Sequence, residues 1–153
     1  MKLDGTFDVR AKKLQDHNKT KIRSYQKRVV IVDDCPKMTN YLKPILESDY
    51  QLEVITFNDE YEAVDYITAY DVDLVIIDIN LNDTNGMSVK RVIKSLSSAD
   101  ISYIFISQDV NYRSLVENSG DDFPAFIQKP VASAVLKKTV YNLLYRESYQ
   151  NIV

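Results

Sequence analysis

Leu74-Val75-Ile76-Ile77-Asp78 is an unbroken apolar run that stops on a carboxylate. A strand with one face in water alternates apolar and polar residues, whereas a strand covered on both faces does not. The same signature recurs on either side of this run. Val29-Val30-Ile31-Val32 is β-branched and ends on Asp33-Asp34. Leu52-Glu53-Val54-Ile55-Thr56-Phe57 reads as the next strand. Ile101 to Ser107 is apolar up to a polar end, and Ala125-Phe126-Ile127 is a brief fifth strand before Lys129-Pro130.

Helical spacing fills the intervals. Pro36 can occupy a first helical turn, and Met38, Tyr41, Leu42, Ile45 and Leu46 follow at helical period. Pro44 lies inside that pattern and removes a backbone bond, so a kink or an early end is expected. Asn58 or Asp59 can cap a second helix running to about Tyr70. After a polar loop from Asn80 to Asn85 comes Gly86, and Val89, Val92, Ile93 and Leu96 mark a third helix. Residues 110–119 read as a short, weak fourth helix. Leu136, Val140, Leu143 and Leu144 place a last one from about Val131 to Tyr149. Five strands alternating with five helices imply an α/β fold, a parallel sheet covered on both faces.

Composition bounds the function. The 153 residues, 45% apolar and 27% charged, suffice for one domain with its own core. No apolar run reaches the roughly 18 residues of a membrane span, and the N-terminus lacks a signal-peptide stretch. A cytoplasmic location is therefore expected. One cysteine, Cys35, leaves no disulfide framework, and nearby carboxylates disfavour its thiolate. One histidine, His17, argues against a Ser-His-Asp triad or a His-cluster metal site. The three glycines, Gly5, Gly86 and Gly120, cannot write a GxGxxG or a P-loop. Charge is uneven: residues 1–28 carry nine Lys/Arg against three Asp, and the remainder ten against nineteen Asp/Glu. Residues 1–27 therefore read as a basic N-terminal extension, flexible or helical, and residues 28–150 as the folded domain. Nucleic acid, anionic lipid or an acidic partner would suit the arm; a solvated or loosely helical extension, which could lie on its own acidic domain, is the favoured reading.

In open parallel sheets, ligands bind beyond the carboxyl ends of the strands. Asp33, Asp34, Asp78, Ser107 and Lys129 all stand at such ends. Clustered carboxylates repel one another and either take up protons or bind a cation. All-oxygen ligands favour a hard cation such as Mg²⁺, with Mn²⁺ as a substitute. A carboxylate beside Mg²⁺ and Lys129 is placed to attack phosphorus, and Ser107 can donate to a phosphoryl oxygen. Asp78 is then the nucleophile of an aspartyl-phosphate site.

Val-Val-Ile-Val-Asp-Asp, then Asp78-Ile-Asn-Leu with Gly86 eight residues on, then Ser107, then Lys129-Pro130, resembles the receiver domain of two-component response regulators. The resemblance covers roughly residues 28–148. It implies a flavodoxin-like, doubly wound five-stranded sheet of order 2-1-3-4-5, and a cis Lys129-Pro130 bond. It implies a backbone carbonyl of Asn80 as a further metal ligand beside Asp33, Asp34 and Asp78. Phosphotransfer would come from a histidine kinase or a histidine phosphotransfer protein. Ser107 and Phe126 would form the switch, coupling the site to a face made by the fourth helix, fifth strand and last helix. That face would serve an effector protein or dimerisation. Phe126 lacks the hydroxyl of the more usual tyrosine, and Gln108 stands where a small residue is usual and could crowd the site.

No DNA-binding, cyclase or kinase segment is visible, so the expectation is a stand-alone receiver or a fragment of something longer. It would be no enzyme beyond self-phosphorylation and autodephosphorylation. Two other readings compete. A haloacid-dehalogenase-type phosphohydrolase also uses an aspartate after a parallel strand, but wants a second aspartate where Asn80 stands. A receiver-like domain acting by phosphorylation-independent interaction would not need the intact set of Asp34, Asp78, Ser107 and Lys129.

Overall fold

The computed structural model describes residues 26–49, 51–120 and 122–146. The basic arm up to residue 25 lies outside the described residues. The strands are β1 (Lys27–Val32), β2 (Leu52–Phe57), β3 (Leu74–Asp78), β4 (Ser102–Ser107) and β5 (Ala125–Gln128). The helices are α1 (Pro36–Glu47), α2 (Glu60–Ala69), α3 (Gly86–Leu96), α4 (Tyr112–Glu117) and α5 (Ser133–Leu144). The sheet runs β2-β1-β3-β4-β5 and every pair is parallel. This is the flavodoxin-like order that the motif pattern implies.

Alternation along each strand divides the apolar residues between two cores. Val30, Val32, Val75, Ile77 and Phe105 meet Ala63 and Ile67 of α2, Val89 and Ile93 of α3, and Val116 of α4. Val29, Ile31, Leu74, Ile76, Ile104 and Ile106 meet Leu42 and Leu46 of α1 and Leu136 and Val140 of α5. Each fully buried aliphatic side chain contributes roughly 1.5–3 kcal/mol. The central strands are therefore continuous apolar runs, and their polar residues are pushed to the ends.

Local chemistry sets the helix boundaries. The Asp59 carboxylate caps α2, accepting from the N–H groups of Tyr61 and Glu62 at 2.9 Å each. The Asn85 side chain caps α3 through Ser88 N–H at 2.9 Å. Pro44 neither ends nor shortens α1, which continues to Glu47. The helix carbonyl that Pro44 leaves without a donor is that of Asn40, an exposed residue that water can serve. Helix α5 is shorter than its apolar spacing suggests, spanning Ser133–Leu144; Tyr149 lies outside the described residues. Helix α4 is six residues long, with Val116 its one buried residue.

Candidate functional site

The site is the carboxyl edge of β1, β3, β4 and β5. Asp33 follows β1 and extends its pairing, donating its N–H to Phe57 O at 3.1 Å. Its Oδ1 accepts from Cys35 N–H at 2.9 Å and its Oδ2 from Lys129 Nζ at 3.2 Å. Asp78 ends β3, where Oδ1 accepts from Asn80 N–H at 3.1 Å and Oδ2 from Lys129 Nζ at 2.9 Å. One ammonium thus bridges two carboxylates. Asp34 stands half-buried beside them, and carboxylate oxygens of Asp33, Asp34 and Asp78 all lie within 4.8 Å of one another.

The electrostatics follow from that crowding. Burial pushes the Asp33 carboxyl above its usual range; the Cys35 N–H opposes this, the Asp78 charge adds to it, and Lys129 opposes it. Burial alone would lower the Lys129 ammonium, but the hydrogen bond to Asp78 and the charges of Asp33 and Asp78 outweigh it and hold the ammonium above its ordinary value. Three carboxylates face one lysine. That donor set, hard oxygens with charge to spare, fits a small divalent cation.

Ser107 ends β4 and is fully buried. Its hydroxyl oxygen accepts from Asn80 Nδ2 at 3.2 Å and from Asp109 N–H at 3.1 Å. Its carbonyl accepts from Lys129 N–H at 2.9 Å, which fixes where the lysine leaves the sheet. The Lys129-Pro130 peptide bond is cis. The following segment is tied to α1, where Tyr41 donates its hydroxyl to Val131 O at 2.8 Å. Gln108 and Cys35 are exposed. Phe126 faces the core, 7% exposed, and the Arg113 guanidinium carbon lies 5.0 Å from its ring centre. Asp33, Asp34, Asp78, Asn80, Ser107 and Lys129 therefore share one edge, and Phe126 sits on β5, three residues before Lys129.

The sheet at this edge also depends on a glycine. A Cβ on Gly86 would stand 2.5 Å from the Asp78 carbonyl oxygen. Gly86 N–H meanwhile donates to Ile79 O at 3.0 Å. Only a residue without a side chain lets α3 begin this close to the strand that carries Asp78.

The family profile described as response regulator receiver domain matches residues 29–141. The chain belongs to that family. As a receiver domain it falls outside the dehalogenase alternative. It is 30% identical over 80 residues to the Fimbriae Z protein of Escherichia coli K12, covering 52% of this chain and 38% of that protein. To the aerobic respiration control protein ArcA of the same strain it is 31% identical over 121 residues, covering 77% of this chain and 48% of ArcA. The receiver thus spans less than half the length of either relative. Among solved structures, a CheY-like receiver domain protein from Methanospirillum hungatei JF-1 superposes with a TM-score of 0.70 at 25% identity, over 82% of this chain and 99% of that one. A two-component response regulator from Clostridium difficile gives 0.69 at 22% identity, over 80% and 98%, and supports the fold.

Two contributors to the site escaped the motif reading. The Asp109 N–H on Ser107 is a backbone donor, which no side-chain motif reports. Asn58 appears in sequence only as a candidate helix cap, yet its side chain reaches Asp33. The available signal was its position just past β2, the neighbour of β1 in the implied strand order.

Proposed function

We propose that this receiver domain is a phosphorylation switch whose phosphoryl acceptor is Asp78, working with Mg²⁺. The observation that carries the reading is the single ammonium of Lys129 shared by Asp33 and Asp78, with the Asp34 carboxylate alongside and no ion pair to it among the described residues. A carboxylate oxygen of Asp78 would attack phosphorus; the new O–P bond forms as the P–N bond of a phosphohistidine breaks, and the histidine, protonated on its other ring nitrogen, takes the electron pair and leaves as neutral imidazole. Asp33, Asp34 and Asp78, with the carbonyl of Asn80, would hold the Mg²⁺, which offsets charge on the transferring oxygens. Lys129 supplies a further fixed positive charge at the acceptor. Ser107 would exchange its contact with Asn80 for one to a phosphoryl oxygen.

The donor in this reading is a histidine kinase or a histidine phosphotransfer protein. The movement of Ser107, coupled to Phe126, would alter the α4-β5-α5 face and so its affinity for an effector or a second copy. No turnover of an external substrate is involved beyond self-phosphorylation and loss of the phosphoryl group. No helix among the described residues is long and apolar enough to cross a membrane, in keeping with a cytoplasmic role.

The test is incubation with acetyl phosphate and Mg²⁺, read as intact mass. One phosphoryl adduct is expected, absent without metal and absent in Asp78→Asn. An adduct that persists in Asp78→Asn would refute the acceptor. No adduct, together with no Mg²⁺-dependent beryllofluoride binding, would favour a phosphorylation-independent interaction role.

A further inference from the structure

We propose that Asn58 is a positioning residue for the metal-binding carboxylates, acting as a bracket across the loop that carries Asp34. The proposal rests on reading the acidic cluster as the Mg²⁺ site. Asn58 Nδ2 donates to Asp33 O at 2.8 Å and to Thr39 Oγ1 at 3.0 Å. The first opens the β1-α1 loop and the second stands in the first turn of α1. Both belong to buried residues, each 2% exposed. Thr39 passes the link on, donating its hydroxyl to Pro36 O at 3.1 Å.

The stretch between the two anchors is otherwise held by backbone N–H groups: Cys35 donates to Asp33 Oδ1 at 2.9 Å, and Cys35 O accepts from Met38 at 3.0 Å and from Thr39 at 3.3 Å. Pro36 has no N–H. Cys35 is exposed and its side chain caps nothing. Among the described residues none donates a hydrogen bond to the Asp34 carboxylate. Asp33 is fixed on both sides, by Cys35 N–H and by Lys129, but Asp34 takes its place from the backbone alone. The Asn58 carboxamide joins that backbone before and after Asp34, and it does so from the end of the neighbouring strand.

Groups that orient metal ligands without touching the metal affect affinity strongly, typically by about 10- to 100-fold. Without the carboxamide, the Asp33 carbonyl and the Thr39 hydroxyl must find water, and the loop between them gains freedom. Binding a small cation with three carboxylates then requires ordering that the native protein has already completed.

The full chain is titrated with MgCl₂ in the absence of any phosphodonor, and amide chemical shifts are followed to saturation. Wild type, Asn58→Ala, Thr39→Val and Thr39→Ser are compared, with folding checked by circular dichroism in the same buffer. Asn58→Ala is expected to bind about tenfold more weakly. Thr39→Val should weaken binding in the same direction, and Thr39→Ser, which keeps the hydroxyl, should restore it. Equal affinity in wild type and Asn58→Ala overturns the bracket and leaves the metal site standing. An affinity that falls only in proportion to the unfolded fraction also overturns it. No saturable Mg²⁺ binding in wild type overturns the metal site itself, and the bracket with it.

Discussion

Two lysines of this fold have nearly buried side chains, Lys129 at 13% exposure and Lys90 at 8%, and they keep opposite company. Lys129 is shared by Asp33 and Asp78, with Asp34 beside them. Lys90 instead shares Asp122 with a second lysine, Lys94, at 2.8 and 3.0 Å. Its ammonium also lies 5.0 Å from the centre of the Tyr103 ring, which adds a cation–π contribution. The contact distances do not separate the two clusters; the charge balance does. At Lys90 the excess is positive, and it falls on Lys94, which is 55% exposed and served by water. At Lys129 the excess is negative and sits on an edge where the acids are mostly buried. The first cluster is complete in itself and staples α3 to the segment before β5. The second, among the described residues, leaves Asp34 without an ion-pair partner and forms a carboxylate cluster that could hold a metal ion.

The acids register the same contrast. Asp33 is pushed up, by burial first. Asp122 is also partly buried, which favours the neutral form, yet hydrogen bonds and charge from Lys90 and Lys94 overcome this and pull it below the usual carboxylate value.

Removing each lysine or its partner tests the comparison. The largest effect is expected for Lys129→Met in metal-free buffer, which leaves Asp33 and Asp78 without a cation. Urea unfolding should show a loss of about 3 kcal/mol, the scale for breaking a buried pair from one side. Millimolar Mg²⁺ should return much of it; a loss that ignores Mg²⁺ would break the distinction. Asp122→Ala comes next, at about 2 kcal/mol, because it strands a buried ammonium that the aromatic rings only partly compensate. That loss should be indifferent to Mg²⁺. Lys90→Met should cost less than about 1 kcal/mol, since Asp122 keeps Lys94 and an apolar chain of similar length suits the site.

The smallest effect is in pH. A carboxyl whose folded pKa lies below its unfolded value of 3.8 stabilises the fold above that pH and loses the contribution as pH falls through the folded value. The stability difference between wild type and Asp122→Asn should therefore hold at pH 6 and shrink below pH 3.8. A difference that stays constant to pH 3 would remove Lys90 and Lys94 as its source.

Much of this was legible in one dimension. Unbroken runs such as Val29 to Val32 and Leu74 to Ile77 announce strands covered on both faces, because no polar side chain can be tolerated at either. The same pressure drives Asp33, Asp78, Ser107 and Lys129 to strand ends, so a list of terminal polar residues is already a list of candidate site residues. Helix ends were less readable. Pro44 is harmless because Asn40 faces solvent, and exposure is not written in the local sequence. The Lys90–Asp122 staple was not foreseen, since its partners lie 32 residues apart and Lys90 looks like any solvent-facing lysine on an amphipathic helix.

By itself the sequence determined the α/β class, the alternation of elements and the residue types at the carboxyl edge, because hydrophobic period and strand termini are local properties. The tertiary structure decided which groups hold one another. That Lys129 spans Asp33 and Asp78, that Asn80 and Asp109 occupy the Ser107 hydroxyl, and that Asn58 reaches across from β2 all depend on strand order and register. Those bring residues as many as 96 positions apart within 3.2 Å. Hydrogen bonds and charge act over a few ångströms of space, whatever the separation along the chain.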